Sequence, residues 1–324
     1  MIARVKNSRF TAYFMTVART LKLNIQNETA RLRAVVLGIA RESGPVPSVE
    51  EAYDPKSLEH IRAGTYPVEA DMVTELKAVL EVLHKYGVEV YRPEMIQDCN
   101  QIFARDIATV IEDKFIKANI LPDREQEIKA IEHVIDLIPK ENVYKAPSDD
   151  IHFEGGDIIL YDQHIFVGTY KGVDYSDCIV ARTNMKGVAY IQSLFPNKIV
   201  KELDLNKSMK DARNNALHLD CCFQPVGVGK AIIHKESFRS ATDYEYLLDL
   251  FGAENLFHIT KEEMYRMNSN IFSIAEDVVI SERNFHRLNA WLRKQKITVE
   301  EVPYKEIAKQ EGLLRCSTLP LIRD

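Results

Sequence analysis

A unit of secondary structure recurs five times along this 324-residue chain. Apolar residues at positions i, i+3 and i+4 predict five helices, and a short β-rich stretch follows each of them. The predicted helices cover 69–86, 123–138, 184–195, 241–251 and 284–296, and the predicted strands 88–93, 142–147, 198–205, 255–260 and 297–303. The units recur about every 50 to 65 residues, a period that indicates blades or stacked modules.

A polar cluster follows each predicted strand. In chain order these clusters are FARD (103–106), FEGGD (153–157), HLD (218–220), MNSN (267–270) and RCST (315–318). The first four lead into hairpin-like pairs of strands, so the complete unit is strand, cluster, hairpin and helix. The stretch RLRAVVLG at 31–38 is predicted to supply the hairpin partner of the last unit. This pairing would close the units into a ring and leave no exposed sheet edge.

Equivalent positions in a ring of units point towards one central cavity. We therefore expect the key residues of the clusters to converge there: Asp106, Glu154, His218, Asp220, Asn270 and Cys316. A thiol reacts as the thiolate, which a nearby cation or histidine favours, and Arg315 and His218 are the candidates for these roles. The three carboxylates of the set also require a positive partner.

A guanidinium group suits such a site because its planar fork of N–H donors matches carboxylates. Two carboxylates can hold its nitrogen atoms while Cys316 attacks the central carbon from above the plane. His218 can then protonate the departing nitrogen and activate a water molecule. Each cluster alone also has a structural interpretation, such as a buried core thiol or turn glycines, but their shared place in the repeat favours function. Cys221 and Cys222 begin an apolar strand and are interpreted as core residues.

The clusters resemble those of the guanidino-group-modifying (pentein) superfamily, which contains arginine deiminases, dimethylarginine dimethylaminohydrolases and amidinotransferases. The resemblance extends from about residue 23 to 324 and rests on FARD, FEGGD, HLD with an aromatic residue three positions on, and the C-terminal cysteine. It implies an α/β fold, a five-bladed α/β propeller of pseudo-fivefold ββαβ repeats around a central site. Residues 23–324 would form this single catalytic domain.

The resemblance also implies catalytic roles. Cys316 corresponds to the nucleophile, His218 to the general acid and base, and Glu154 to the carboxylate oriented against that histidine. No cofactor and no metal are implied.

For substrate binding, the resemblance makes Asp106 and Asp220 the carboxylates that hold the guanidinium group. The stretch ARTN at 181–184 resembles the Arg-Thr-Asn or Arg-Thr-Ser stretch of the family, whose arginine holds the substrate α-carboxylate, so Arg182 is the candidate for that contact. Asn270 completes the set of substrate-binding candidates.

The stretch EGGD at 154–157 resembles the hydrolases of the superfamily, whereas amidinotransferases tend to have aspartate and two alanines there. No helical insertion of the arginine deiminase kind is evident between the units. We therefore expect a cysteine-dependent hydrolase of arginine or a substituted arginine that forms a covalent amidino-thioether intermediate. One alternative is an amidinotransferase that passes the amidino group to an amine. Another, of a different class, is a non-catalytic propeller binding protein, against which the intact Cys316, His218 and Glu154 argue.

Composition restricts the partners and the location. The net charge is −6 and neither sign forms a long run, so we expect a small-molecule guanidino substrate and no nucleic acid. No stretch reaches the roughly 18 apolar residues that cross a bilayer, so no membrane association is expected. The five cysteines lack zinc-site or disulfide spacing and predict reduced thiols in the cytoplasm. A homo-oligomer is compatible with the sequence.

Two segments lie outside the repeat. Residues 1–22 contain basic residues and no acid, which is typical of an organellar transit peptide. The alternative, which we favour, is a disordered N-terminal extension or a misassigned start with Met15 as the true initiator. Residues 41–68 contain four prolines and two glycines and form either a lid over the cavity or a rigid structural loop.

Overall fold

The computed structural model describes residues 20–324, so most of the segment 1–22 lies outside the described residues. The strands are β1 (Leu32–Leu37), β2 (Glu89–Tyr91), β3 (Ala108–Ile111), β4 (Lys114–Lys117), β5 (Val143–Lys145), β6 (Ile158–Tyr161), β7 (His164–Thr169), β8 (Ile199–Asp204), β9 (Phe223–Val226), β10 (Lys230–Ile233), β11 (Leu256–His258), β12 (Phe272–Ala275), β13 (Val278–Glu282), β14 (Thr298–Val302) and β15 (Thr318–Arg323). The helices are α1 (Pro55–Arg62), α2 (Glu69–Lys85), α3 (Glu125–Lys129), α4 (Glu132–Ile135), α5 (Met185–Leu194), α6 (Ala241–Phe251), α7 (Lys261–Tyr265) and α8 (His286–Lys294).

The strands form five three-stranded sheets with one common topology. The sheets are β3-β4-β5, β6-β7-β8, β9-β10-β11, β12-β13-β14 and β15-β1-β2. In each sheet the middle strand runs antiparallel to the first and parallel to the third. Parallel strands need a crossover, and a helical segment supplies it in every unit. The predicted α/β propeller of ββαβ units is confirmed.

The last sheet combines strands from the two ends of the described chain. Strand β15 pairs with β1, where Val35 lies opposite Pro320 and Leu37 opposite Thr318. Strand β2 then adds to β1 in parallel. The prediction that residues 31–38 supply the missing hairpin partner is therefore confirmed.

One predicted helix, 123–138, is interrupted. A 3₁₀ turn at Pro122–Arg124 precedes α3, and α4 begins only after a break. At the break, the carbonyl of Ala130 accepts the N–H of Glu94 from another part of the chain (2.7 Å), while the N–H of Val134 bonds to Ile131. A tertiary contact thus replaces the intrahelical bond that would have continued the helix.

The first strands of the hairpins hold the polar clusters in place. Strands β3 and β9 are buried along their whole length, as expected for strands covered on both faces. Asp106 and Cys316 lie two residues before β3 and β15, and Asn270 two residues before β12. Glu154 and His218 precede 3₁₀ turns at Gly155–Asp157 and Leu219–Cys221 that lead into β6 and β9. All five positions therefore lie at the same end of equivalent strands.

Across residues 20–324, no helix has both the length and the apolar character needed to span a membrane.

Candidate active site

A cavity of about 690 Å³ opens at this end of the strands. Cys316, His218, Asp106 and Arg182 line it, and the predicted lid segment 41–68 contributes one wall. The remaining predicted residues are buried behind the lining: Glu154, Asp220 and Asn270. Helix α1 belongs to the wall and begins with a proline after an aspartate cap. Movement of the segment as a lid stays a prediction.

His218 and Glu154 form a buried hydrogen-bonded pair. The Nε2 atom of His218 lies 2.8 Å from Oε2 of Glu154, and its Nδ1 lies 3.8 Å from Oδ1 of Asp106. Burial lowers the pKa of His218, but Asp106 and the hydrogen bond with Glu154 outweigh burial and raise it to about 9. A Cβ at Gly156 would lie 2.7 Å from the imidazole ring, so this position requires glycine. The site therefore holds an imidazolium ion near neutral pH.

Asp157 connects two of the clusters. Its Oδ1 accepts the backbone N–H of Leu219 (2.9 Å), and its Oδ2 accepts the hydroxyl of Thr183 (2.6 Å). The Thr183 hydroxyl oxygen also accepts the N–H of Glu154 (3.2 Å). The clusters FEGGD, ARTN and HLD thus share one network that fixes Glu154 relative to His218.

Two arginines balance the charge of the buried Glu154. Arg182 donates through Nη1 to Oε1 of Glu154 (3.1 Å), and Nη1 of Arg124 lies 3.6 Å from Oε2. Burial would raise the pKa of Glu154, but Arg182 and the bond to His218 lower it below its usual range. Arg182 also donates to the carbonyls of Ile179 (2.7 Å) and Tyr53 (3.2 Å). Contact between Arg182 and a substrate carboxylate stays a prediction.

Asp106 has one engaged and one unengaged oxygen. Its Oδ2 accepts a hydrogen bond from Nη1 of Arg124 (3.1 Å), whereas Oδ1 has no hydrogen-bond partner among the described residues. Burial raises the pKa of Asp106, with His218 and Arg124 opposing the rise. Arg124 is itself held by Glu127 through two hydrogen bonds of 2.7 and 2.9 Å. The contact of Arg124 with Asp106 was not predicted from the sequence, because an Arg–Glu pair at i and i+3 normally indicates a solvated helix face.

The thiol of Cys316 is held by Asn270. The side-chain Nδ2 of Asn270 donates to Sγ (3.2 Å), and its Oδ1 accepts the backbone N–H of Cys316 (3.2 Å). The carboxylate oxygens of Asp220 lie 3.8 and 3.9 Å from Sγ. Burial raises the pKa of Cys316 well above its usual value, and Asp220 and Asp106 raise it further. Near neutral pH the group is therefore a thiol, and Asn270 contacts the nucleophile candidate directly.

Arg315 does not serve as the cation beside the thiolate that the sequence suggested. Its Nη1 donates to Oδ2 of Asp220 (2.8 Å), and its Nη2 donates to Oε1 of Glu28 (2.9 Å) and the carbonyl of Ile158 (2.7 Å). This buried ion pair holds one oxygen of Asp220 directly behind the thiol. The assignment of Asp220 as a guanidinium contact stays a prediction.

Three of the site residues have the geometry of a metal site. One ligand atom each from Asp106, Glu154 and His218 lie within 4.8 Å of one another. His218, with a pKa of about 9, carries a proton on each ring nitrogen near neutral pH and therefore has no lone pair for a metal ion. The implication that the reaction needs no metal stays a prediction.

Similarity to known sequences is consistent with this site. A family model described as eukaryotic N,N dimethylarginine dimethylhydrolase matches residues 59–323. The uncharacterized protein YkgA of Bacillus subtilis is 27% identical over 248 residues, which cover 76% of this chain and 78% of YkgA. An arginine deiminase of Bacillus cytotoxicus is 27% identical over 267 residues, covering 69% of this chain but only 62% of the deiminase.

Solved structures show the same fold at lower identity. The N-terminal domain of ArgZ, an arginine dihydrolase from cyanobacteria, aligns with a TM-score of 0.72 and 18% identity over 90% of this chain and 98% of that domain. SxtG, an amidinotransferase from Microseira wollei, aligns with a TM-score of 0.73 and 17% identity over 93% and 97% of the two chains. The inosamine-phosphate amidinotransferase StrB1 from Streptomyces griseus aligns with a TM-score of 0.70 and 16% identity over 94% of this chain and 97% of StrB1. From the family match, the chain belongs to the N,N-dimethylarginine dimethylhydrolase family of the guanidino-group-modifying pentein superfamily.

Proposed function

We propose that the protein hydrolyses a C–N bond in the guanidino group of arginine or a substituted arginine through a covalent intermediate on Cys316. One observation carries the proposal: Cys316, the imidazolium of His218 and Asp106, whose Oδ1 accepts no hydrogen bond among the described residues, all line one cavity. The thiol supplies a nucleophile, the imidazolium a proton donor and the carboxylate a place for a cation.

Asp106 orients the substrate. A buried carboxylate oxygen without a partner costs about 1–3 kcal/mol or more, and a guanidinium N–H removes this cost. The bound guanidinium also brings positive charge to a thiol whose pKa is raised by burial, Asp220 and Asp106. Its arrival therefore lowers the pKa of Cys316, and the thiol releases its proton to water in the open cavity, which leaves the thiolate where the electrophilic carbon lies. The nucleophile becomes reactive when the substrate is present.

The reaction then proceeds in two halves. The thiolate of Cys316 attacks the central guanidinium carbon, and His218 donates its proton to the departing nitrogen, so that ammonia or an alkylamine leaves. Neutral His218 next removes a proton from water, and the resulting hydroxide attacks the amidino-thioether carbon. Collapse of the tetrahedral intermediate expels the sulfur, which takes up the hydroxyl proton, and this step gives the ureido product and restores the thiol of Cys316. Glu154 stabilises the imidazolium form that begins and ends this cycle.

Relatives support the substrate class. The matching family is named for hydrolysis of dimethylarginine, and the deiminase relatives are named for arginine. SxtG and StrB1 share this fold and are named as amidinotransferases, so amidino transfer is the alternative reaction that an experiment must distinguish from hydrolysis. The reduced state of the five cysteines fits the cytoplasmic location that forms part of the proposal.

The test is incubation of the protein with arginine, methylated arginines and agmatine, with and without glycine or ornithine as acceptor. Ureido product with ammonia or amine, independent of acceptor, supports hydrolysis, whereas acceptor-dependent amidino product indicates transfer. Cys316→Ser should be inactive. Cys99→Ser is the matched control, because Cys99 lines the same cavity but belongs to none of the five polar clusters. Loss of activity in the control alone would contradict the assignment of the nucleophile.

A further inference from the structure

Glu28 lies outside the five polar clusters, in the segment that precedes β1, yet its side chain is buried, with 6% exposed. Its Oε1 accepts hydrogen bonds from Nη2 of Arg315 (2.9 Å) and from the backbone N–H of Leu160 (3.3 Å). Its Oε2 accepts a second bond from Nε of Arg315 (3.3 Å). Glu28 and Arg315 therefore form a two-point ion pair, the arrangement that fixes the plane of a guanidinium group.

Arg315 connects Glu28 to the nucleophile candidate. Its Nη1 donates to Oδ2 of Asp220 (2.8 Å), and the same Oδ2 lies 3.8 Å from Sγ of Cys316. The side chains of Arg315 and Asp220 are 1% and 0% exposed. Charges interact more strongly in such a buried place than in water. The charge of Glu28 therefore reaches the thiol through two intervening side chains.

A second guanidinium group shares this carboxylate. The backbone N–H of Arg105 donates to the carbonyl of Cys316 (2.8 Å), and Nε of Arg105 donates to the carbonyl of Arg315 (3.4 Å). Burial raises the pKa of Glu28, but Arg315 and Arg105 outweigh burial and lower it to about 2. Glu28 is therefore the anion that balances the positive charge behind the nucleophile.

Two consequences follow for a protein without this anion. The charge of Arg315 would be balanced by Asp220 alone, so the surroundings of Cys316 would become more positive and would favour the thiolate before any substrate binds. The same positive charge would repel a cationic guanidinium group from the cavity. The mechanism proposed above gives Glu28 no role, although both its steps depend on the charge behind the thiol.

We propose that Glu28 is a positioning residue for the nucleophile. Through Arg315 it holds Asp220 in one orientation and balances the guanidinium charge, so that the Cys316 thiol keeps its proton until a cationic substrate binds. The link to substrate rests on the proposed function. The control of thiol reactivity is independent of turnover and is measured without a substrate.

The experiment measures alkylation of Cys316 by iodoacetamide at one fixed pH, with peptide mapping of the labelled sites. Glu28→Gln keeps an acceptor for the N–H of Leu160 but removes the charge, and Cys316 should be labelled about threefold or more faster than in the wild type. Cys221 and Cys222 are 1% and 0% exposed, so their labelling reports unfolding in the same sample. Glu28→Asp keeps the charge and should stay within about twofold of the wild type.

Turnover should change in the opposite direction. In Glu28→Gln, kcat/KM for L-arginine should fall by about tenfold, mainly through a higher KM, because the uncompensated charge of Arg315 repels the substrate cation. A thiol that becomes more reactive while the enzyme becomes less efficient is not expected from a general loss of packing.

Glu282→Gln is the matched control. Glu282 is 2% exposed and accepts hydrogen bonds from the backbone N–H and Nδ2 of Asn284 (2.6 and 2.8 Å), with no contact to the Arg315 pair among the described residues. Its labelling rate at Cys316 should stay within about twofold of the wild type.

The double variant Glu28→Gln/Arg315→Met reverses the sign of the effect. Replacement of a buried ion pair by uncharged side chains is often tolerated, so this variant also decides the question if Glu28→Gln labels Cys221 and Cys222. Asp220 then lacks the cation of Arg315, and Cys316 should be labelled more slowly than in the wild type.

An unchanged labelling rate in the folded variants, or the same acceleration in Glu28→Asp as in Glu28→Gln, would overturn the role of Glu28 and leave the hydrolase proposal intact. Absence of turnover with every guanidino compound would overturn the hydrolase proposal, whereas the labelling rates would still decide the role of Glu28.

Discussion

The Nε2 atom of His218 lies 2.8 Å from Oε2 of Glu154, and both side chains are 1% exposed. Burial alone would favour neutral imidazole, yet Asp106 and Glu154 raise the pKa of His218 to about 9. The histidine therefore begins the proposed reaction as a proton donor. Its first task would be to protonate the leaving group, since an imidazolium ion cannot take a proton from the thiol.

The pH dependence of turnover should report this proton. We expect kcat to fall as pH rises through about 9, where His218 loses the proton that it donates. Glu154→Gln keeps the shape of the side chain but removes its charge, so the basic limb should move towards the ordinary histidine value of about 6.5. A pH–rate profile from pH 5 to 10 measures the basic limb of the wild type and of the variant. An unchanged basic limb in the variant would contradict the assignment of this limb to His218 paired with Glu154.

Protein stability should depend on pH through the same group. A histidine with a folded-state pKa above its unfolded value contributes stability below about pH 6.5, and this contribution is lost as pH rises through about 9. We expect His218→Gln to be less stable than wild type at pH 6 by up to about 3 kcal/mol, with a smaller difference at pH 10. Denaturant titrations at the two pH values measure the effect. His234→Gln is the control, since burial lowers the pKa of His234, and the same trend there would argue against a specific role of His218.

Covalent catalysis predicts different outcomes for two substitutions. Cys316→Ser should abolish turnover with the fold preserved, because a single atom changes. His218→Ala should accumulate the adduct if the first half-reaction still occurs, because water then lacks its general base. Mass spectrometry of acid-quenched His218→Ala protein should show added mass on the peptide that contains Cys316. Near-normal turnover by Cys316→Ser would rule out the covalent path.

Asn270 should control the reactivity of the thiol. Asn270→Asp keeps the oxygen that accepts the backbone N–H of Cys316 but replaces the nitrogen that donates to Sγ. Loss of this donor and the added negative charge both raise the pKa of Cys316, so alkylation by iodoacetamide at fixed pH should slow about tenfold or more. Alkylation rates from pH 6 to 10 compare the thiolate fraction of the variant with that of the wild type at each pH. Asn268→Asp, in the same cluster, is the matched control, and equal effects in both variants would point to a general electrostatic change.

Arg182 should discriminate between substrates that differ in their carboxylate. Arg182→Ala is expected to weaken turnover of arginine much more than that of agmatine, which lacks the carboxylate, because only arginine loses a charge-assisted pair. The structure adds a cost in stability, since the substitution removes a buried partner of Glu154, and losses of this kind reach about 3–5 kcal/mol. The ratio of kcat/KM for the two substrates measures the loss of the carboxylate contact. The melting temperatures of the variant and the wild type measure the loss of stability separately. Equal losses on both substrates would reject the carboxylate contact.

The repeat itself was readable from the sequence. Apolar periodicity and turn residues are local properties of the chain, so four of the five predicted helices and all five predicted strands lie within a few residues of the observed bounds. Equivalent positions in a repeat occupy equivalent places in a ring. The convergence of Cys316, His218 and Asp106 on one cavity followed from that rule without knowledge of any side-chain contact.

Tertiary structure alone decided how the charges pair. Arg315 is a neighbour of Cys316 in sequence, yet its guanidinium binds Glu28, 287 residues away. Arg124 lies in the predicted helix 123–138 but binds Asp106 beside the cavity. An ion pair depends on distance and burial in three dimensions, and the hydrophobic pattern fixes neither of these for long polar side chains. The sequence determined which residues reach the centre of the ring, and the folded structure determined which of them hold a proton, a partner or an open position for a ligand.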